Sequence, residues 1–239
     1  MRVLALDSSG LVAAVAIVEE EQTIAEYTIN YKKTHSQTLL PMLDEIVRMT
    51  EMDLTTVDAI AVAGGPGSFT GLRIGSATAK GLGLALNKPL IHIPTLEGMA
   101  YNLYGSTSVI CPMMDARRNQ VYTGLYQFSD GSLKVLEGQT AIAVEELIEK
   151  LNESGREVIF LGDGVPVYAE KLREGLSIPY TFAPANMNRQ RAASVGLLGL
   201  EYLKAGKTEP AEAHQPNYLR PSQAERERAE RERVKGQVI

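Results

Sequence analysis

The chain has 239 residues, 44% hydrophobic and 22% charged, with 24 Lys and Arg against 29 Asp and Glu and a formal net charge of −5. That length buries a sizeable core in one large domain or two smaller lobes, and the acidic balance argues against a protein that holds nucleic acid unaided, which ordinarily shows a basic excess or stripe. There is no run of about 18 apolar residues and no basic segment leading into a hydrophobic stretch, which predicts neither a membrane-spanning nor a secreted protein; the lone Cys111 excludes an intrachain disulfide and fits a reducing cytoplasm.

In chain order, Val3 to Leu6 reads as a short apolar strand ending at Asp7. The turn-forming Ser8-Ser9-Gly10 separates it from a second strand, Leu11 to Val18, and Thr23 to Asn30 alternates as a third. His35 to Thr50 has helical periodicity, Ala59 to Ala63 is an apolar strand, and Gly71 to Leu86 is a helix. The second half repeats the order: Ser108 to Met114, Gln120 to Phe128 and Leu133 to Leu136 as strands, Val144 to Asn152 as a helix, Val158 to Leu161 as a strand and Val165 to Glu174 as a helix. Each half places an aspartate (Asp7, Asp115) after its first strand and a glycine-rich turn after its fourth.

This predicts an α/β fold of duplicated βββαβα units, the two-lobed plan shared by sugar kinases, actin and Hsp70-type ATPases. The expected N-terminal lobe spans residues 1–104 and the C-terminal lobe 105–222, with a helix near 190–205 packing back on the first lobe. Residues 223–239 form a tail of alternating Glu and Arg, read as a solvated helix or frayed end.

The turn Gly64-Gly65-Pro66-Gly67-Ser68-Phe69-Thr70-Gly71 carries the most information. A glycine-rich strand-to-helix turn presents backbone N–H groups at a positive helix end and suits anions. It equally lets two stretches of backbone approach closely. Neither P-loop nor dinucleotide spacing fits, since no Gly-Lys-Ser/Thr and no Gly-x-Gly-x-x-Gly is present at this position.

Asp7 stands where kinases of this plan hold an aspartate for magnesium and phosphate, but Ser8 replaces the glycine that usually follows. Asp7, Ser8, Gly64 and Gly65 are therefore the candidates for a residual nucleotide site; the simpler reading is that Asp7 caps its own turn. The histidines, His35, His92 and His214, have no partner at local metal-ligand spacing, so a zincin-like metal site is not expected. No Gly-x-Ser-x-Gly elbow is present. Cys111 sits in an apolar run and reads as an inert core thiol. Asp115-Ala116-Arg117-Arg118 is a polar patch that binds an anion or is simply solvated.

The two first-lobe helices point elsewhere. On the first, Leu39, Leu40, Met42, Leu43, Ile46, Val47 and Met49 cover about half the circumference, wider than the ~100° stripe one sheet requires. The second carries Gly71, Gly75, Ala79 and Gly83 at four-residue spacing. Each glycine costs about 0.8–1 kcal/mol of helix propensity, which close packing must offset. The stripe serves either its own sheet or a helix-to-helix protein interface.

Leu4-Ala5-Leu6-Asp7-Ser8-Ser9, His35-Ser36-Gln37-Thr38-Leu39-Leu40-Pro41 and Gly65-Pro66-Gly67-Ser68-Phe69-Thr70-Gly71-Leu72-Arg73-Ile74-Gly75 resemble the bacterial TsaB family of tRNA threonylcarbamoyladenosine biosynthesis proteins. Asp115-Ala116-Arg117 and Pro216-Asn217-Tyr218-Leu219-Arg220 fit the same family. The resemblance covers the chain to about residue 220 and implies the actin-like ATPase (ribonuclease H-like) fold. It also implies a non-catalytic subunit that pairs with the related catalytic subunit TsaD, helps recruit the ATPase TsaE, and meets tRNA mainly through the complex.

No cofactor of its own is expected; ATP and metal would belong to the partners. The family pairs through the first two helices, which assigns to the interface Leu39, Met42, Leu43, Ile46 and Met49 on one. On the other it assigns Gly71, Leu72, Gly75, Thr78, Ala79, Leu82 and Gly83. Gly75→Leu or Met42→Glu would then break pairing and leave the fold intact. In isolation such helices would cover themselves in a homodimer. The alternative is a self-sufficient Mg-ATP-dependent phosphotransferase or hydrolase working through Asp7.

Overall fold

The computed structural model describes residues 1–31 and 34–220; the charged tail at 223–239 lies outside them. The first half runs β1 (Arg2–Asp7), β2 (Ala13–Glu19), β3 (Thr23–Ile29), α1 (His35–Thr50), β4 (Ala59–Ala63), α2 (Phe69–Leu86), β5 (Leu90–Ile93) and α3 (Thr95–Ala100). The second runs β6 (Val109–Asp115), β7 (Gln120–Ser129), β8 (Ser132–Ala143), α4 (Val144–Ser154), β9 (Val158–Leu161), α5 (Gly164–Gly175), β10 (Tyr180–Phe182) and α6 (Ala192–Lys204).

Two five-stranded sheets result, ordered β3-β2-β1-β4-β5 and β10-β9-β6-β7-β8. The second is the first read from its other edge. In each, the opening three strands pair antiparallel and the last two add in parallel. This shared order is the structural trace of duplication. Each unit also carries a fifth strand, β5 or β10, beyond the expected βββαβα.

Strand alternation sorts the first sheet into two faces. Leu4, Leu6, Val15, Ile17, Ile60 and Val62 point to one side, beneath α1 and α2. Val3, Ala5, Ala14, Ala16, Ala59 and Ala61 point to the other, beneath α6. That second face is made largely of alanine, so the helix must come in close to fill it. Two glycines permit this: a Cβ at Gly196 would sit 2.6 Å from Val18 Cγ2, and one at Gly199 would sit 2.9 Å from the Ala61 Cβ.

The lobes exchange these covering helices. α6, encoded after the second sheet, lies on the first. α3, encoded after the first sheet, packs on β6 and β7 of the second, where Leu96, Met99 and Ala100 join Ile110, Met114 and Tyr126. The two exchanged helices also touch each other. Glu26 on β3 receives the α6 end, accepting the Ala193 N–H at 3.0 Å and pairing with the Arg191 guanidinium. Among the described residues, no helix is long and apolar enough to cross a membrane.

Candidate functional site

The lobes meet at a cleft of about 560 Å³, walled by Ser9 and Gly10, by Pro66 to Thr70, by Asp115 to Arg117 with Tyr122 and Asp163, and by Tyr218 to Arg220. Its floor is set by the glycine-rich turn, which takes a cis Gly65-Pro66 bond and leads into α2. Ser68 caps that helix, its Oγ accepting from Gly71 N at 3.3 Å.

The turn sits directly on the Ser8-Ser9 backbone. A Cβ at Gly67 would lie 2.2 Å from Ser9 O, one at Gly71 2.1 Å from Ser8 O, and one at Gly75 2.4 Å from Ser8 Oγ. Several N–H donors that could cradle an anion are engaged within the chain: Gly64 with Ile93 O at 2.8 Å, Gly65 with Thr95 Oγ1 at 3.1 Å, and Ser68 with Ser9 O at 2.6 Å. Gly65 is further covered by the Asn217 carbonyl, 2.1 Å from where its Cβ would be. Gly64 lies under the His92 ring.

Asp7 is 1% exposed and does not reach the cleft wall. Its Oδ1 accepts both the Ser9 N–H at 2.8 Å and the Ser9 hydroxyl at 2.7 Å. Burial pushes its carboxyl up to about 6, against the lowering effect of those hydrogen bonds. Ser8 donates its hydroxyl to Gly71 O at 2.8 Å. The positions singled out for nucleotide (Asp7, Ser8, Gly64 and Gly65) are thus buried and engaged with neighbouring chain.

The opposite wall is more polar. Tyr168 donates its hydroxyl to Asp115 Oδ1 at 3.0 Å, and Arg117 N reaches the same oxygen at 2.8 Å. Burial holds the Asp163 carboxyl above its ordinary range. Across the mouth runs the Pro216–Arg220 segment, whose role the sequence did not reveal. Asn217 N donates to Gly64 O at 2.6 Å, and the Tyr218 ring lies 4.7 Å from that of Phe69. Arg73 sits 4.1 Å above Phe69 and donates to the Tyr218 hydroxyl at 3.3 Å. Arg220 donates to Ala116 O at 3.1 Å and to Gln120 Oε1. One short segment therefore fastens both lobes.

The residues assigned to a helical interface divide unexpectedly. Leu39, Met42, Leu43 and Ile46 are each at most 5% exposed and belong to the first lobe's core. The arc on α1 is wide because the helix has three internal neighbours, β2, β3 and α2. Gly71, Leu72, Gly75, Ala79 and Gly83 are buried as well, and the glycines of the small-residue stripe face the Ser8 turn, Leu90 and Ala211 within the chain. Substituting Met42 or Gly75 would consequently damage the fold, contrary to the sequence expectation.

Of the assigned residues, Met49 is exposed, at 68%, and Thr78 and Leu82 are half-buried. The outward side of α2 shows what the sequence missed: Ala77, Gly81, Leu84 and Ala85 are exposed, and a Cβ on Gly81 would meet nothing within 4 Å. This face is small, apolar and uncharged from Ile74 to Ala85 except for the half-buried Lys80.

Burial pushes the Cys111 thiol up to about 12, and among the described residues no serine, threonine or cysteine side chain hydrogen-bonds to a histidine ring; the rings of His35 and His214 bond to Gly10 O and Glu209.

The family model described as TsaD, tRNA N6-adenosine threonylcarbamoyltransferase, matches residues 22–228. The chain is 34% identical over 227 residues to the tRNA threonylcarbamoyladenosine biosynthesis protein TsaB of Bacillus subtilis, covering 94% of this chain and 96% of that one. A crystal structure from Pseudomonas aeruginosa, of an uncharacterised protein with similarity to peptidase YeaZ, superposes with a TM-score of 0.78. It is 27% identical and covers 92% of this chain and 99% of its own. The inorganic polyphosphate/ATP-glucomannokinase of an Arthrobacter strain shares the fold at a TM-score of 0.51 and 13% identity, covering 85% of this chain and 99% of its own.

Proposed function

The chain belongs to the TsaB proteins of tRNA threonylcarbamoyladenosine biosynthesis, within the wider TsaD family, and on that premise we propose that it serves the modification as a non-catalytic scaffold. It pairs with and activates a catalytic subunit related to TsaD, and with it helps to recruit the ATPase TsaE. The modified base is the adenosine following the anticodon in tRNAs that read codons beginning with A. ATP and the reaction's metal are held by those partners, and tRNA is met mainly through the assembly.

The observation that carries this reading is the state of the cleft. Where a kinase of this fold opens its first turn to phosphate, this chain closes Gly67 and Gly71 onto the Ser8-Ser9 backbone and buries Asp7 beneath. A protein so closed at its nucleotide positions acts through its surface. The open small-residue face of α2 around Gly81 allows a partner helix to approach closely, and Met49 on α1 together with Leu84 on α2 leaves apolar area to bury.

The test is to deplete the protein in its host and measure threonylcarbamoyladenosine in bulk tRNA by mass spectrometry. Loss of the modification, restored by wild type and by Asp7→Asn but not by Gly81→Arg, is the expected result. Undiminished modification after depletion overturns the role. Failure of a folded Asp7→Asn variant, with ATP binding seen by calorimetry, would instead favour the cleft phosphotransferase or hydrolase.

A further inference from the structure

Local spacing gave the histidines no metal-binding company, yet folding brings two of them together. His92 lies on β5; Glu209 and His214 lie on the segment that follows α6. One ring nitrogen from each histidine and one Glu209 carboxylate oxygen fall within 4.8 Å of one another. The His92 and His214 ring centres are 5.6 Å apart, inclined at 46°.

His214 Nδ1 is 2.6 Å from Glu209 Oε1. Its other ring nitrogen, Nε2, is buried and has no hydrogen-bond partner, on a side chain with no exposure at all. Buried polar atoms without partners call for an explanation.

The backbone around these three is already fixed. Leu90 and Glu209 exchange N–H···O bonds at 2.9 Å each, and Asn217 N holds Gly64 O at 2.6 Å. Lys80 Nζ donates to the Glu212 and His214 carbonyls at 2.9 and 3.2 Å. The ring of His92 fits because Gly64 has no Cβ, which would stand 2.1 Å from it.

From this arrangement we infer that His92, Glu209 and His214 bind one zinc ion, with water at the fourth position, and that the ion pins the 209–217 segment to the edge of the first lobe. Two imidazoles and a carboxylate are a zinc ligand set. Calcium and magnesium demand oxygen alone, and copper(I) favours sulfur. Tetrahedral zinc with bonds of about 2.0–2.2 Å places its ligand atoms about 3.3–3.6 Å apart. The His214 Nδ1–Glu209 Oε1 pair must open to that spacing from 2.6 Å and the His92 nitrogen must settle at it from within 4.8 Å, through side-chain rotation at the half-buried His92 and Glu209. This site is separate from the outer face of α2 and does not depend on the function proposed above.

The experiment uses the full chain prepared without a polyhistidine tag and stripped with a chelator. Zinc is titrated against a chromophoric competitor, cobalt is followed by its visible absorption, and unfolding temperature is recorded with and without zinc. One equivalent of zinc, a tetrahedral cobalt spectrum and a zinc-dependent rise in unfolding temperature are expected. His92→Ala and Glu209→Gln should each weaken zinc binding by at least about tenfold, whereas His35→Ala, whose ring contacts Gly10 O, should not change it. Circular dichroism identifies variants that keep the fold. Absence of stoichiometric binding, or equal affinity in a folded His92→Ala variant, overturns the inference.

Discussion

Ser8 and Gly71 are locked together from both sides: the Ser8 hydroxyl donates to Gly71 O at 2.8 Å, and a Cβ on Gly71 would lie 2.1 Å from Ser8 O. No side chain fits between two backbones at that separation. Gly71→Ala should cost about 2–3 kcal/mol through forced backbone displacement. Gly81, in the same helix with open space around it, should gain about 0.8–1 kcal/mol on conversion to alanine. Urea unfolding checks both: the midpoints should move in opposite directions at unchanged slope.

Surface and interior positions on α2 should separate in the same way for assembly. Gly81→Arg should leave the unfolding temperature within a degree or two of wild type and abolish co-purification with a TsaD-like subunit. Gly75→Leu should lower soluble yield whether or not a partner is present, because its side chain meets Ser8 Oγ. Equal partner capture by wild type and Gly81→Arg would refute pairing through this face.

Asp7 gives the fold a defined pH signature. Its carboxyl is raised from 3.8 to about 6, so the folded chain binds the proton more tightly than the unfolded one. The resulting stability is complete below about pH 4 and is lost as pH rises through 6. Asp7→Asn keeps the site neutral throughout. The stability of wild type relative to Asp7→Asn should therefore fall between pH 4 and 6 by up to about 3 kcal/mol and stay level above 7. A difference that does not vary with pH would show that the carboxyl is not held protonated.

Glu26 secures α6 to a strand far away in sequence. It offers one oxygen to the Ala193 N–H at the start of that helix and pairs with Arg191, which is 42% exposed. Solvent screens most of the ion pair, so the charge-assisted bond to the helix end should dominate. Glu26→Ala should cost about 1–2 kcal/mol, and Glu26→Gln, which keeps an acceptor, about half as much. Thermal unfolding distinguishes them.

The duplicated plan was legible because its strands are apolar and its helices periodic. α1 was placed residue for residue, and α2 starts two residues before its expected Gly71 because Ser68 caps it. The short β5 and the three-residue edge strand β10 were missed because neither is long enough to show a period. β8 runs to Ala143 rather than Leu136 since its course through exposed Glu137-Gly138 and half-buried Gln139-Thr140 is held by pairing with β7 and has no apolar alternation. Leu39, Met42, Leu43 and Ile46 read as interface residues for a related reason, although the structure buries them in the core. A wide apolar arc records how many neighbours a helix has, and for α1 those neighbours are internal. The meeting of His92 with His214 depends on the strap of chain after α6, which no local spacing encodes.

The exchange of α3 and α6 has a consequence for synthesis on the ribosome. When the last strand of the first sheet has emerged, the alanine face formed by Ala5, Ala14, Ala16, Ala59 and Ala61 is still bare, and its cover at Ala192–Lys204 is yet to be translated. The first lobe cannot close co-translationally on its own. A chain halted before Ala192 presents an uncovered sheet to chaperones and proteases.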